Sequence, residues 1–315
     1  MSLLPEYALL PEVLEAAGDG SCGNLRAVFE LCLREGIVRN LHSGRWRQSL
    51  VKNLPALSPA GRKVFEFLDK TGRLISCPKA LPKPPDTSED WCREAIASRQ
   101  HRDLRAIFAE KATAAQFATE PIVMGMDEAI ERAALRPAKS IALRFHADDY
   151  CRQLAPLIRV AREVCFIDPY IDPRDPLYHD GFLKILSLAT TSPFRPRIEI
   201  HRKSEYKPRR GNQPAIEYCA EKDWLPIFDG WHRQLSAWRL RADVFIWSKF
   251  QSRYFLTNHV GLIAGKGFKS DPGKKERHHW GRLEREDYDG VRGDFNSLGN
   301  SSIYDRMCQF SIGVS

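Results

Sequence analysis

No two of the eight cysteines stand in a Cys-x2-Cys pair, which argues against structural zinc, and their scatter argues against a disulfide framework. Cys32 and Cys165 lie in apolar contexts, where a thiol acts as a small core side chain. No apolar run approaches the roughly 18 residues that cross a bilayer. The opening Met1-Ser-Leu-Leu-Pro-Glu6 lacks a basic leader. Internal repeats are missing, as is low-complexity sequence outside one proline-rich stretch. These absences predict a soluble, cytoplasmic chain without membrane insertion.

What is present is enough apolar surface for a sizeable core. Of 315 residues, 43% are hydrophobic and 10% aromatic, so disorder is excluded as a default. The 48 basic and 40 acidic side chains leave a net charge of +8. Residues 1–136 contribute 19 basic and 18 acidic groups, and residues 137–315 contribute 29 and 22. The basic excess therefore belongs to the C-terminal part, where it would attract polyanions.

Leu25, Val28, Phe29, Cys32 and Leu33 mark one face of an amphipathic helix that stops near Gly36. Ser58-Pro59 starts another, with Val64, Phe65 and Leu68 inward and Gly72 closing it. Residues 1–76 thus read as a helical module, compatible with a winged-helix arrangement or a plain helical cap. Four prolines among Pro78–Pro85 make residues 77–88 an extended linker. Ser88 then caps a mainly helical connecting region, 89–136. From Ser140 onward strands alternate with helices, which predicts an α/β domain over 137–315. Its closing hairpin strands make the sheet mixed.

Between two of those strands stands Gln251-x-Arg253-x4-Asn258. The order of Phe166-Ile-Asp168-Pro-Tyr170, Ile198-Glu-Ile-His201-Arg202, Val244-Phe-Ile-Trp247, Arg253–Asn258 and Gly265-Lys-Gly-Phe268 resembles bacterial single-motif members of the phospholipase D superfamily. The spacing is that of their His-x-Lys-x4-Asp motif, with all three residues replaced. The resemblance implies a mixed sheet with flanking helices, pairing of two chains in active members, and a motif histidine as nucleophile. Gln251 at that position has no basic nitrogen lone pair for attack or proton transfer. Arg253 keeps a cation for phosphate, and Asn258 keeps hydrogen bonding without charge. Lys249 stands beside the motif. The resemblance also suggests a prokaryotic defence or mobile-element setting.

Ligands of open α/β sheets gather beyond the carboxyl ends of the strands, where Asp168, His201, Lys249, Gln251 and Arg253 should converge. His201 is the candidate for rescued catalysis, with Asp168 beside it. A rival reading sets Asp168 and Glu199-x-His201 around a divalent metal, although the lysine of comparable nuclease sites is missing. Two basic runs frame the cleft. One carries Arg202, Lys203, Lys207, Arg209 and Arg210; the other carries Lys266, Lys274, Lys275, Arg277 and Arg282. Basic groups interleaved with aromatics suit phosphate contact and base stacking, and protonated His278 and His279 could join them. The expected function is binding of DNA or RNA by a degenerate phospholipase D-like domain, as a homodimer or in a larger complex, without cofactor or metal. An active nuclease and a scaffold for protein or phospholipid are the alternatives.

Overall fold

Strands of three or four residues, too short to show a period, organise the first part of the chain. The computed structural model describes residues 3–15, 19–206, 216–218, 220–296 and 303–314. It divides into two compact units, Met1–Ala138 and Lys139–Ser315. In the first, β1 (Glu6–Leu9), β2 (Ile37–Asn40), β3 (Leu74–Ser76), β4 (Ala106–Ala109) and β5 (Val123–Gly125) form a parallel sheet in the order β3-β2-β1-β4-β5. Right-handed crossovers put the helices that follow β1 and β2 on one face and those that follow β3 and β4 on the other.

The helices expected from the sequence are there. Helix Asp19–Val28 continues into a π turn, Phe29–Leu33, and Ser58 caps Pro59–Lys70 through the Gly61 amide at 3.0 Å. The first 76 residues nonetheless belong to an α/β layer rather than a free-standing helical module. Strands buried on both faces carry continuous apolar runs, and at four residues these are indistinguishable from helix interior. Residues 77–88 are irregular, but they lie inside the first unit. The fully buried Glu94 carboxylate accepts from the Ala80 and Leu81 amides at 2.8 and 2.9 Å. Thr87, one residue before the expected cap, closes a capping box with Asp90.

The second unit holds β6 (Ser140–Arg144), β7 (Glu163–Ile167), β8 (Arg197–Lys203), the short pair β9 (Glu205–Tyr206) and β10 (Ile216–Glu217), then β11 (Arg241–Trp247), β12 (Tyr254–Thr257), β13 (Gly261–Ile263), β14 (Arg277–Arg282) and β15 (Arg306–Gly313). Eight of them form a mixed sheet, β15-β11-β8-β7-β12-β13-β14-β6. β7, β8 and β11 run parallel at its centre, and antiparallel strands extend both sides. The α/β class with a mixed sheet in the C-terminal half is as the sequence predicts. No helix among the described residues is long and apolar enough to cross a membrane.

Alternation along β7 and β8 separates two cores. On one face Phe166 meets Phe182, which stacks on Trp231. On the other, Cys165, Ile167, Phe245, Trp247 and Leu256 pack with Tyr288, Val291 and Phe295 of helix Arg285–Asp294. Near the β6 edge, His278 is stacked on Phe145 at 4.4 Å, and its Nε2 lies 3.1 Å from the Tyr150 hydroxyl. Burial, then the neighbouring His279 and Lys266, pushes its pKa down to about 4. It is therefore a neutral packing group near neutral pH, not the phosphate contact its basic surroundings suggested.

Two outcomes follow from this packing. A Cβ on Gly61 would overlap the Leu14 carbonyl oxygen, so Gly61→Ala should cost about 1–3 kcal/mol in chemical denaturation. The unfolded His278 takes a proton near pH 6.5, which the folded one refuses until about 4. The unfolded state then binds more protons, so stability falls as pH drops through that window, by up to about 1.4 kcal/mol per pH unit. In His278→Gln that part of the slope should vanish from denaturation curves taken between pH 6.5 and 4.5.

Candidate functional site

β7 ends at Ile167, directly opposite Tyr254 of the antiparallel β12. That register sets Asp168 beside Arg253 at the carboxyl edge of the central parallel strands. Asp168 is completely buried. Its Oδ1 accepts from the Tyr170 amide at 3.0 Å, and its Oδ2 from the Tyr178 hydroxyl at 3.2 Å and the Phe268 amide at 3.3 Å. Arg253 Nε is 3.6 Å from Oδ1. Burial raises the carboxyl pKa, and the Tyr170 amide and Arg253 oppose the rise. Gly267 lies against this carboxylate with φ +76°, where a Cβ would overlap Oδ2. Only glycine meets both demands.

Tyr170 arranges the outer layer of the site. The Arg253 guanidinium carbon lies 5.0 Å from its ring centroid and Lys203 Nζ 4.7 Å. Its hydroxyl donates to Gln251 Oε1 at 3.0 Å. Gln251 thus holds its carbonyl toward a tyrosine and offers no nucleophile. Arg253 is partly exposed, its side chain makes no hydrogen bond among the described residues, and its buried Nε has none. Its donors remain available to an incoming anion. Asp168-Pro-Tyr170 was visible in the sequence, but the parts played by Tyr170, Tyr178 and Gly267 were not; the Gly265-Lys-Gly267 turn was the one available signal.

Exposed cations line the same edge. Lys249 follows β11, while Lys266, Lys274 and Lys275 occupy the connection from β13 to β14. Arg277 opens β14 directly opposite Arg144 of β6. Facing like charges repel. Arg144 is neutralised by Asp149 at 2.8 and 2.9 Å, whereas Arg277 is exposed.

Other predicted residues lie elsewhere, for identifiable reasons. Asn258 is at the opposite end of β12, where its Oδ1 accepts from the Arg162 amide at 2.9 Å; four strand residues separate it from Arg253. Arg202 is buried and bonds the carbonyls of Ile171 and Lys203 at 2.8 and 3.0 Å while covering Trp224 at 4.2 Å. Burial depresses its pKa to about 10. Lys203 stays beside Tyr170 at the site, but it is buried and paired with Glu205 at 2.9 Å. Arg282 is half-buried at the last residue of β14, the end away from Arg277, its amide bonded to the Lys139 carbonyl at 2.7 Å. Lys207, Arg209 and Arg210 fall outside the described residues.

His201 does not share the Asp168 cleft. It is fully buried on the other sheet face, stacked between Phe245 and Trp247 at 4.7 and 5.8 Å. Strand alternation gives it and Asp168 opposite faces, and burial holds its imidazole pKa down. Glu199 and Cys165 join it, all three ligand atoms lying within 4.8 Å of one another. The donor chemistry does not suit a metal. Trp247 Nε1 can only donate, and it donates to His201 Nδ1 at 3.0 Å. The neutral ring therefore carries its proton on Nε2, 3.5 Å from Glu199 Oε2. Coordination through Nε2 would require an imidazolate, and coordination through Nδ1 would break the bond from Trp247. Arg197 also pairs with Glu199. The trio forms a buried polar cluster inside the core.

No family model matches the chain, and no curated protein matches it. Among solved structures it is similar to phosphatidylserine synthase of Haemophilus influenzae Rd KW20, with a TM-score of 0.33 and 11% identity over 50% of this chain. The likeness spans 36% of that enzyme, about a third of its length. It is also similar to TrmBL2, an archaeal chromatin protein described with a novel mode of DNA binding, with a TM-score of 0.29 and 13% identity over 76% of this chain and 81% of that one. Likenesses of this grade leave the function to be argued from the site itself.

Proposed function

We propose that Lys139–Ser315 is a phospholipase D-like domain that binds the phosphodiester backbone of DNA or RNA along the carboxyl edge of its sheet, without histidine-dependent cleavage. The observation that carries this reading is Arg253, ion-paired to a buried Asp168 and packed on Tyr170 while its donors stay uncommitted. A guanidinium oriented in this way takes two phosphate oxygens at once. Lys249, Lys266, Lys274, Lys275 and Arg277 extend the positive edge, so a strand rather than a lone phosphate can be followed. Exposed Tyr170 supplies a ring for base stacking.

The chemistry at position 251 supports binding over turnover. A carboxamide does not attack phosphorus or shuttle protons near neutral pH, and His201 is sealed behind the sheet. In the setting the resemblance suggests, the chain would act as a homodimer or an accessory subunit of a prokaryotic defence or mobile-element system.

Fluorescence anisotropy of the full chain with labelled single-stranded DNA, duplex DNA and RNA tests the proposal. Arg253→Ala should weaken binding by about tenfold and flatten the dependence of log K on log salt by about 0.7–0.9. Arg282→Ala, half-buried at the end of β14 away from Arg277, should change neither. Binding that ignores salt, or equal effects of the two variants, would sink the interface. Gly267→Ala should reproduce the Arg253 defect by displacing Asp168, read in the same titration. Labelled substrate incubated with the protein, with magnesium or with chelator, should stay full-length; discrete products would overturn the non-catalytic half of the reading.

A further inference from the structure

At the amino end of the first sheet, guanidinium groups outnumber the carboxylates that hold them. Glu6 opens β1 and is shared: Arg39 Nε lies 2.9 Å from its Oε2 and Arg102 Nε 2.8 Å from its Oε1. Arg39 is completed by Ser98 and by the carbonyls of Arg102 and Asp103, at 2.6–2.9 Å. Arg105 stands next to Glu6. Its amide donates to the Glu6 carbonyl at 2.8 Å, and the pairing of Tyr7 with Ala106 puts the Glu6 and Arg105 side chains on one face of the sheet. Yet the Arg105 side chain makes no hydrogen bond or ion pair among the described residues, and its Nε and Nη2 are buried without a partner. Arg102 Nη2 and His101 Nε2 are buried in the same condition. The other acids at this end do not reach them. Glu120, just before β5, lies 3.9 Å from Arg99, and Asp103 is exposed and pairs with neither arginine.

The bare atoms of Arg105 are a matched pair. Nε and Nη2 form the edge of the guanidinium that takes two oxygens side by side. Elsewhere in the chain Arg47 and Arg144 present this same edge to Asp69 and Asp149, at 2.8–2.9 Å. On Arg105 the edge holds nothing. A buried charged donor without an acceptor is costly, and an oxyanion removes that cost. A carboxylate would spend both its oxygens on one such edge. A tetrahedral phosphoryl group keeps further oxygens for Arg102 Nη2, and carries more charge than a single guanidinium cancels. Both side chains reach the surface: that of Arg102 is 14% exposed and Arg105 is partly exposed. A small anion can therefore arrive from solvent as the guanidinium turns about its terminal torsions.

We infer that Arg105, with Arg102 beside it, binds a phosphoryl group, as free phosphate or as the end of a phosphomonoester. This site does not rest on the nucleic-acid reading of the second unit. Inorganic phosphate is the probe, titrated into the nucleic-acid-free full chain and read by calorimetry and thermal melting, with acetate at equal ionic strength as the planar comparator. Saturable binding and a rise in Tm are expected with phosphate and not with acetate. Arg105→Met should weaken phosphate binding about tenfold. Its ligand-free melting temperature should hold or rise, because the variant removes donors that have no acceptor. Arg105→Lys keeps the charge but loses the fork, and should bind as poorly. A 5′-phosphorylated oligonucleotide set against its 5′-hydroxyl counterpart separates the sources: an Arg105-dependent preference for the first assigns the site to a polymer end, and equal binding assigns it to a small phosphate compound. No saturable response, an equal response to acetate, or full binding in Arg105→Met or Arg105→Lys would each overturn the assignment. So would a lowered ligand-free Tm in Arg105→Met, which would mark the side chain as structural, or a phosphate response lost in Arg253→Ala but kept in Arg105→Met.

Discussion

A carboxylate held out of water at the end of β7 is the constraint on which the candidate interface depends. An ionised Asp168 could not stay buried unless its oxygens were satisfied, and each group that satisfies it fixes a separate part of the site. The Tyr170 amide turns the chain out of the strand, the Tyr178 hydroxyl ties in helix Pro176–Ser187, the Phe268 amide closes the turn after β13, and Arg253 answers the charge. Arg253 is oriented because its partner is immobile. The same partner needs only one side of the guanidinium, which leaves the rest facing outward.

The sheet then sorts polar residues by parity. Even-numbered Asp168 and Arg202 lie on the face of Phe166, and odd-numbered Glu199 and His201 lie on the face of Trp247. Residues near one another in sequence, and all at strand ends, therefore divide between an open edge and a closed core. His201 is held neutral between aromatic rings with Trp247 and Glu199 as neighbours, and its histidine chemistry serves packing. Basic residues divide similarly. Arg202 is used up by backbone carbonyls and Trp224, whereas Lys249 and Lys266 remain in solvent.

Much of the second unit was legible because its signals are long. Strands such as Arg241–Trp247 and helices such as Ala147–Val160 carry apolar runs and periodicities that survive without tertiary context. The pairing of Asp168 with Arg253 was accessible only as a spacing, since antiparallel register decides it. Asn258 shows where spacing fails: a motif read as one cluster becomes a strand, and its two ends part. The first unit was harder still. Tyr7-Ala-Leu9 and Ile107-Phe-Ala109 are wholly buried, so nothing alternates, and the flanking helices alone were visible.

The proline-rich stretch after Cys77 has the composition of a hinge, yet Glu94 fastens its backbone from within the first unit. Severing the chain there would not release two bodies. It would take β1, β2 and β3 away from β4 and β5, strip the amides from a carboxylate that has no access to water, and leave half a sheet on each fragment. A segment rich in proline can therefore act as a strap, its stiffness lowering the entropy lost when it is clamped. The natural seam for dividing this protein lies some fifty residues further on, between Ala138 and Lys139.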